Sequence, residues 1–382
     1  MSVMETSPYT RFWHTGQIDI PVESLIAWAR AQRLLPLIGW RAEQEGWSLP
    51  KPLFEAAQVA RYRLAACQTL ADRQLRSLAA LAQETSLEVA VVKGPVVAEA
   101  YPSSNLRIHQ DLDLLVARSD IKDLIALLKQ AGYSFVMDGM RGWHLPPMLP
   151  PDAGFELDVH AALARDQHGK GMFTWQDWKH SLQSWPSYRA LRYPSSVEHV
   201  LYLIHHLVIH HHFEMGVLPL LDLLYMTEDW PFSAWQNLLD SAERMGMRRD
   251  VGLCLHLMTW WLGDERFEKL QNLFPEPPSS VLSISQGLLL GVLQTANVKI
   301  ERDVASGSVG AWLRHGWRVL FGDPLSMYGM TWLDRLRFYV HRPLHVLHKY
   351  VSWAADKEDR RRNSPAAHKA QRDLMTWLRG GQ

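Results

Sequence analysis

The chain has 382 residues, 47% of them hydrophobic and 21% charged, with formal charges that cancel to +0. That length suits two or three domains with sizeable cores, and the balance excludes a bulk electrostatic footprint for nucleic acid or for a membrane surface. The two cysteines, Cys67 and Cys254, exclude a disulfide framework and fit a reducing compartment.

Residues 1–52 are predicted to form an N-terminal helical segment. Val22–Gln32 carries Leu25, Ile26 and Ala29 between polar residues, an amphipathic pattern. No basic stretch followed by an apolar run opens the chain, so no secretory signal is expected and the protein is read as cytoplasmic. A long helix is predicted over Leu53–Thr85, where Leu64, Leu70, Leu75, Leu78 and Leu81 recur near helical spacing. Arg61, Arg63, Arg73 and Arg76 lie between them and are read as its solvated face.

Val89-Ala90-Val91-Val92 is apolar and β-branched, the composition of a buried strand. Lys93-Gly94 ends it, and Gly94 is expected to make the turn and to let backbone approach a ligand closely. Pro95–Tyr101 has room for about two helical turns, with proline tolerated in the first. Pro102-Ser103-Ser104-Asn105 is loop composition. The next strand reads Asp111-Leu112-Asp113-Leu114-Leu115-Val116. Alternation puts Asp111 and Asp113 on one face and Leu112 and Leu114 in the core. Two carboxylates so placed repel each other unless a cation or protons lie between them.

Ser119 and Asp120 are expected to cap a helix over Ile121–Ala131 that stops at Gly132. Tyr133–Met137 reads as a short strand and Gly139–Pro151 as a loop or irregular strand pair. Gly154–Ala162 alternates again, with Phe155, Leu157 and Val159 on one face and Glu156, Asp158 and His160 on the other. Beyond Arg165 the periodicity is read as helical throughout: Ser195–Phe213, Val217–Glu228, Phe232–Met245, Arg249–Leu262, Val281–Ala296 and Trp332–Trp353. The apolar windows Leu201–Met226 and Val281–Val298 contain His, Glu, Asp, Ser or Gln and are read as buried helices, not membrane spans. Residues 301–382 hold 14 Lys/Arg against 8 Asp/Glu, Arg360-Arg361-Arg362 among them. That run has no interleaved aromatics for base stacking and is read as a solvated face.

The ordered set Lys93-Gly94, Tyr101-Pro102, Leu106-Arg107 and Asp111-Leu112-Asp113-Leu114-Leu115-Val116 resembles a bacterial family of uncharacterised nucleotidyltransferases within the polymerase-β-like superfamily. The resemblance covers about Leu53–Leu224. It implies an α+β fold: a small mixed β-sheet core flanked by N-terminal helices and a large C-terminal all-α region. The domains expected are 1–52, a nucleotidyltransferase core over 53–165, a helical domain over 166–300 and a basic helical region over 301–382. In this family Lys-Gly replaces the Gly-Ser of the wider superfamily, and Pro95 stands where a serine would contact phosphate.

The resemblance implies transfer of an NMP unit from an NTP to an acceptor hydroxyl with Mg2+ or Mn2+. Asp111 and Asp113 are the first metal ligands, and Asp158, two before His160, is the expected third, with Glu156 the alternative. Mg2+ takes hard oxygen ligands and is held by few carboxylates plus phosphates. Lys93, Gly94 and Arg107 are the candidates on the triphosphate side; the alternative is that Lys93 pairs an acid of the site and Arg107 staples the loop before the strand. The acceptor is left open among a peptide, a sugar and an RNA end. A non-catalytic binding module on the same scaffold and a toxin-like RNA-end modifying enzyme are the rival readings. His205, His206, His210, His211 and His212 lack a complete ligand motif and are expected to be structural packing residues.

Overall fold

The computed structural model describes residues 7–85, 87–136, 145–165, 170–291 and 373–378. The expected helix over Trp332–Trp353, the Arg360–Arg362 run and most of the basic C-terminal region lie outside these residues. Four helices lead in: α1 (Pro8–Thr15), α2 (Val22–Ala31), α3 (Leu35–Glu45) and the long α4 (Lys51–Thr85). The core follows as β1 (Val89–Val92), α5 (Gly94–Ala98), β2 (Asp111–Val116), α6 (Ile121–Gln130), β3 (Ser134–Phe135), β4 (Met148–Leu149) and β5 (Glu156–His160).

The expectation of helix alone after Arg165 is corrected. A two-stranded sheet pairs β6 (Ala162–Arg165) with β7 (Gly171–Thr174), and α7 (Trp175–Trp178) leads to β8 (Gln183–Trp185) and β9 (Tyr188–Tyr193). β9 returns to the main sheet beside β1, giving the order β3-β4-β5-β2-β1-β9-β8. β1 runs antiparallel to β2 and parallel to β9; β2 runs parallel to β5. The sheet is therefore mixed, and the class α+β stands. Beyond it come α8 (Ser196–His205), a π turn at His206–His210, then α9 (Leu218–Met226), α10 (Phe232–Arg244), α11 (Arg248–Leu262), α12 (Glu265–Gln271) and α13 (Ser279–Leu289). Among the described residues no helix is long and apolar enough to cross a membrane.

The two faces of the sheet belong to different cores. Val89, Val91, Leu112, Leu114, Leu157 and Val159 pack against the second half of α4 and against α6. Ala90, Val92 and Leu115 face the other way, into the cluster that holds α8 and the helices after it. Side chains alternate along a strand, so Asp111 and Asp113 share the face of Leu115. The helical half thus covers the same face that carries the carboxylates.

One cap differs from expectation. Asp120 makes no capping bond to the start of α6, because its Oδ1 accepts the Ser119 hydroxyl at 2.6 Å.

Candidate active site

The site is built at the end of β1, whose residues are all buried. The chain turns at Lys93, not at Gly94: Lys93 has φ 55° and ψ −128°. A left-handed non-glycine residue costs roughly 1–3 kcal/mol and persists where surrounding structure holds it. Three bonds hold this one. The Lys93 N–H donates to His199 Nε2 at 2.9 Å, its C=O accepts from the Val97 N–H at 2.9 Å, and its Nζ donates to Asp113 Oδ1 at 2.7 Å. Gly94 begins α5, and a Cβ there would lie 2.7 Å from the His109 Cβ. The glycine is required by the close approach of the loop before β2.

Parallel pairing of β2 with β5 sets Asp111 opposite Glu156, Asp113 opposite Asp158 and Leu115 opposite His160. Asp113, Asp158 and His160 each bring a ligand atom within 4.8 Å of the others, and among the described residues they are the one such group. His160 Nε2 donates to Asp113 Oδ1 at 2.8 Å. Asp113 is 2% exposed. Burial pushes its carboxyl up, but the Lys93 ammonium and His160 more than offset this and hold it well below the usual carboxylate range. Burial pushes Asp158 up to about 6, with His160 opposing and the two other aspartates adding. Its buried Oδ1 has no hydrogen-bond partner among the described residues. Asp111 stands at the exposed start of the strand; surrounding protein and the Asp113 charge raise its carboxyl. Glu156 is exposed, outside the close group. His160 was not singled out from sequence as a member of this group; its place two beyond Asp158 on one strand face was the available signal.

Arg107 is spent elsewhere. Its Nε and Nη2 donate to Asp222 Oδ1 and Oδ2 at 3.1 and 2.8 Å, and its Nη1 donates to the Ile108 carbonyl at 3.1 Å. The Tyr101 hydroxyl donates to the same Asp222 Oδ1 at 2.6 Å. Of the two arrangements foreseen for Arg107, the structure has the one in which it staples the loop before β2, and the staple anchors in α9. Tyr101 and Arg107, motif residues in sequence, meet in one buried network.

α8 meets the site through Lys93. His199 accepts the Lys93 N–H, and its neighbour one turn on, Tyr202, has its ring centroid 5.8 Å from Lys93 Nζ. His206 continues this face, with its ring centroid 5.7 Å from that of Tyr202. Burial, with Arg107 and Lys93 nearby, pushes His199 down to about 3, so it stays the neutral acceptor that Lys93 requires.

Fold and site together define an α+β protein with a carboxylate–histidine group whose spacing could hold a metal ion. The family model described as uncharacterised nucleotidyltransferase matches residues 19–263, and the chain belongs to that family. The match begins before α2 and ends just past α11, so the sheet, the acids, α8 and Asp222 all lie within it. Comparison with curated proteins and with solved structures gives no match.

Proposed function

We propose that the protein moves an NMP unit from an NTP to an acceptor hydroxyl, with Mg2+ or Mn2+. The pairing of Asp113 with Asp158 across parallel strands carries this reading. It brings two carboxylates together on a face shared with Asp111, and a buried carboxylate oxygen without a partner is what a cation would engage. Asp113 and Asp158 would hold the ion, with Asp111 at the open end. His160 already donates to Asp113 and would orient that ligand, as imidazole–carboxylate pairs around metals do. The ion, when bound, would neutralise charge on the phosphates and on the attacking and leaving oxygens.

The chain's own residues do the rest. Lys93 places an ammonium beside the acids, where a triphosphate would arrive, and Gly94 lies next to it. Arg107 fixes the loop that delivers Asp111. In the transfer an acceptor oxygen bonds to the α-phosphorus, the bond to the bridging oxygen breaks, pyrophosphate leaves and the hydroxyl proton passes to water. The face of α8 carrying Tyr202 would form the second wall, on the acceptor side.

Incubation with each labelled NTP and a panel of hydroxyl acceptors, followed for pyrophosphate release, tests the reading. Metal-dependent release that vanishes in Asp113→Asn is expected. Tight NTP binding with no release from any pair would replace it with the non-catalytic binding module.

A further inference from the structure

The segment after α8 carries chemistry that the carboxylate centre does not use. His206–His210 form one π turn, and the His211 N–H donates to the His206 carbonyl at 3.0 Å, five residues back. In an α-helix, at about 100° per residue, side chains five apart point about 140° away from each other. The wider turn instead brings these two rings together: His206 Nε2 and His211 Nε2 are 3.1 Å apart. His210 stands beside both, its ring centroid 5.1 Å from that of His206 and 4.6 Å from that of His211. His212 and Phe213 follow with φ of 49° and 66°, two successive non-glycine residues in the left-handed region. Single π turns and strained backbone of this kind concentrate at functional sites.

We propose that His206 and His211 bind a transition-metal ion of the Zn2+, Co2+ or Ni2+ class, at a second site separate from the acids. Ligand spacing carries the argument. Two imidazole nitrogens about 2.0–2.1 Å from one ion are about 3.3 Å apart at the tetrahedral angle and about 2.9 Å apart at a right angle. The observed separation falls between these values. An N–H···N hydrogen bond has the same length, and metal titration separates the two. Imidazole donors suit Zn2+, Co2+ and Ni2+, whereas Mg2+ prefers the oxygens of the other site. Burial keeps His206 in the neutral form that ligation needs. Two imidazole ligands leave coordination positions open to water or a substrate oxygen. The site stands one helical turn beyond Tyr202, whose ring lies near Lys93, so such an oxygen would sit at the margin of the cleft.

The test uses the full chain carrying Asp113→Asn and Asp158→Asn, which removes the carboxylate site. Co2+ titrated into this protein should give visible ligand-field bands saturating at one ion per chain. Adding His206→Gln or His211→Gln should abolish the bands, with far-UV circular dichroism unchanged. No Co2+ binding in the carboxylate-free protein, or binding that survives both histidine changes, overturns the site. If the histidine variants do not fold, Zn2+-soaked wild-type crystals decide: an anomalous peak between His206 and His211 supports the site, and a peak at the acids alone overturns it. Because the assay contains no NTP, its failure leaves the transferase reading untouched.

Discussion

Arg107 and Asp222 are 115 residues apart in sequence and meet as a two-pronged, buried ion pair, with Arg107 8% and Asp222 2% exposed. Each leaves the other stranded if removed. Breaking a buried pair from one side costs about 3–5 kcal/mol, because a charge remains without compensation. Asp222→Ala is expected to lower stability by about that amount in urea unfolding. Arg107→Lys should also destabilise, since an ammonium cannot fork across two carboxylate oxygens. Near-wild-type stability in both would show that the network does not hold the loop.

The cation site of the acids should be separable by titration. Mg2+ or Mn2+ binding, followed by calorimetry, should be lost in Asp113→Asn and Asp158→Asn. His160→Gln should weaken it by about 10–100-fold, the usual cost of losing a residue that orients a metal ligand. Unchanged affinity in His160→Gln would remove the orienting role from that side chain.

Lys93 and Gly94 should fail in different ways. In Lys93→Gln, Asp113 loses its ammonium but keeps His160, so the metal-free protein should lose roughly 2–3 kcal/mol, less than a fully stranded charge would cost. Mn2+ should restore much of that loss, because it supplies positive charge at the same carboxylate. In Gly94→Ala the added methyl meets His109, and a loss of about 1–3 kcal/mol is expected from overpacking. Mn2+ should not repair it. Melting temperatures with EDTA and with Mn2+ distinguish the two cases; equal recovery in both would contradict the geometry.

Asp250 gives a pH signature remote from the site. It is 4% exposed, its Oδ1 has no partner among the described residues, and burial pushes its carboxyl up to about 7. Between its unfolded value near 4 and about 7 the folded chain holds a proton that the unfolded chain has released. Stability therefore falls as pH rises through that window and stays level above it. Asp250→Asn should flatten this dependence and exceed wild type at about pH 8 by a few kcal/mol, roughly. Urea unfolding at about pH 5 and pH 8 measures the difference; parallel behaviour of the two proteins would show that Asp250 is not the titrating group.

Much of the sheet was legible because β1, β2 and β5 carry strong local signals. Val89–Val92 is uniformly apolar, and Asp111–Val116 and Glu156–His160 alternate. β9 carries little of that: in Tyr188–Tyr193 only Leu191 is buried, with Arg189 and Arg192 between half-buried neighbours. It joins the sheet through backbone bonds to β1, which side-chain periodicity does not report. The two ligand-bearing strands were legible one at a time, but the register that sets Asp113 opposite Asp158 arises from long-range pairing. Tyr101 and Arg107 are visible as motif residues, while their convergence on Asp222 obeys no spacing rule. The π turn was hidden as well, since a run of histidines on an apolar helix has the same composition whether the turn is α or π.

β1 is central only because β9 arrives late. Its partner β2 is close in sequence, whereas β9 lies beyond the β6–β7 hairpin, α7 and β8. While the chain is being synthesised, the strand that ends in Lys93 waits with one edge bare until Tyr188–Tyr193 has emerged. An unpaired, apolar strand edge is a template for pairing with other chains. A fragment cut after Arg165 would make that transient edge permanent. It would keep all three aspartates and still be expected to aggregate, so any minimal version of this core has to run past Tyr193.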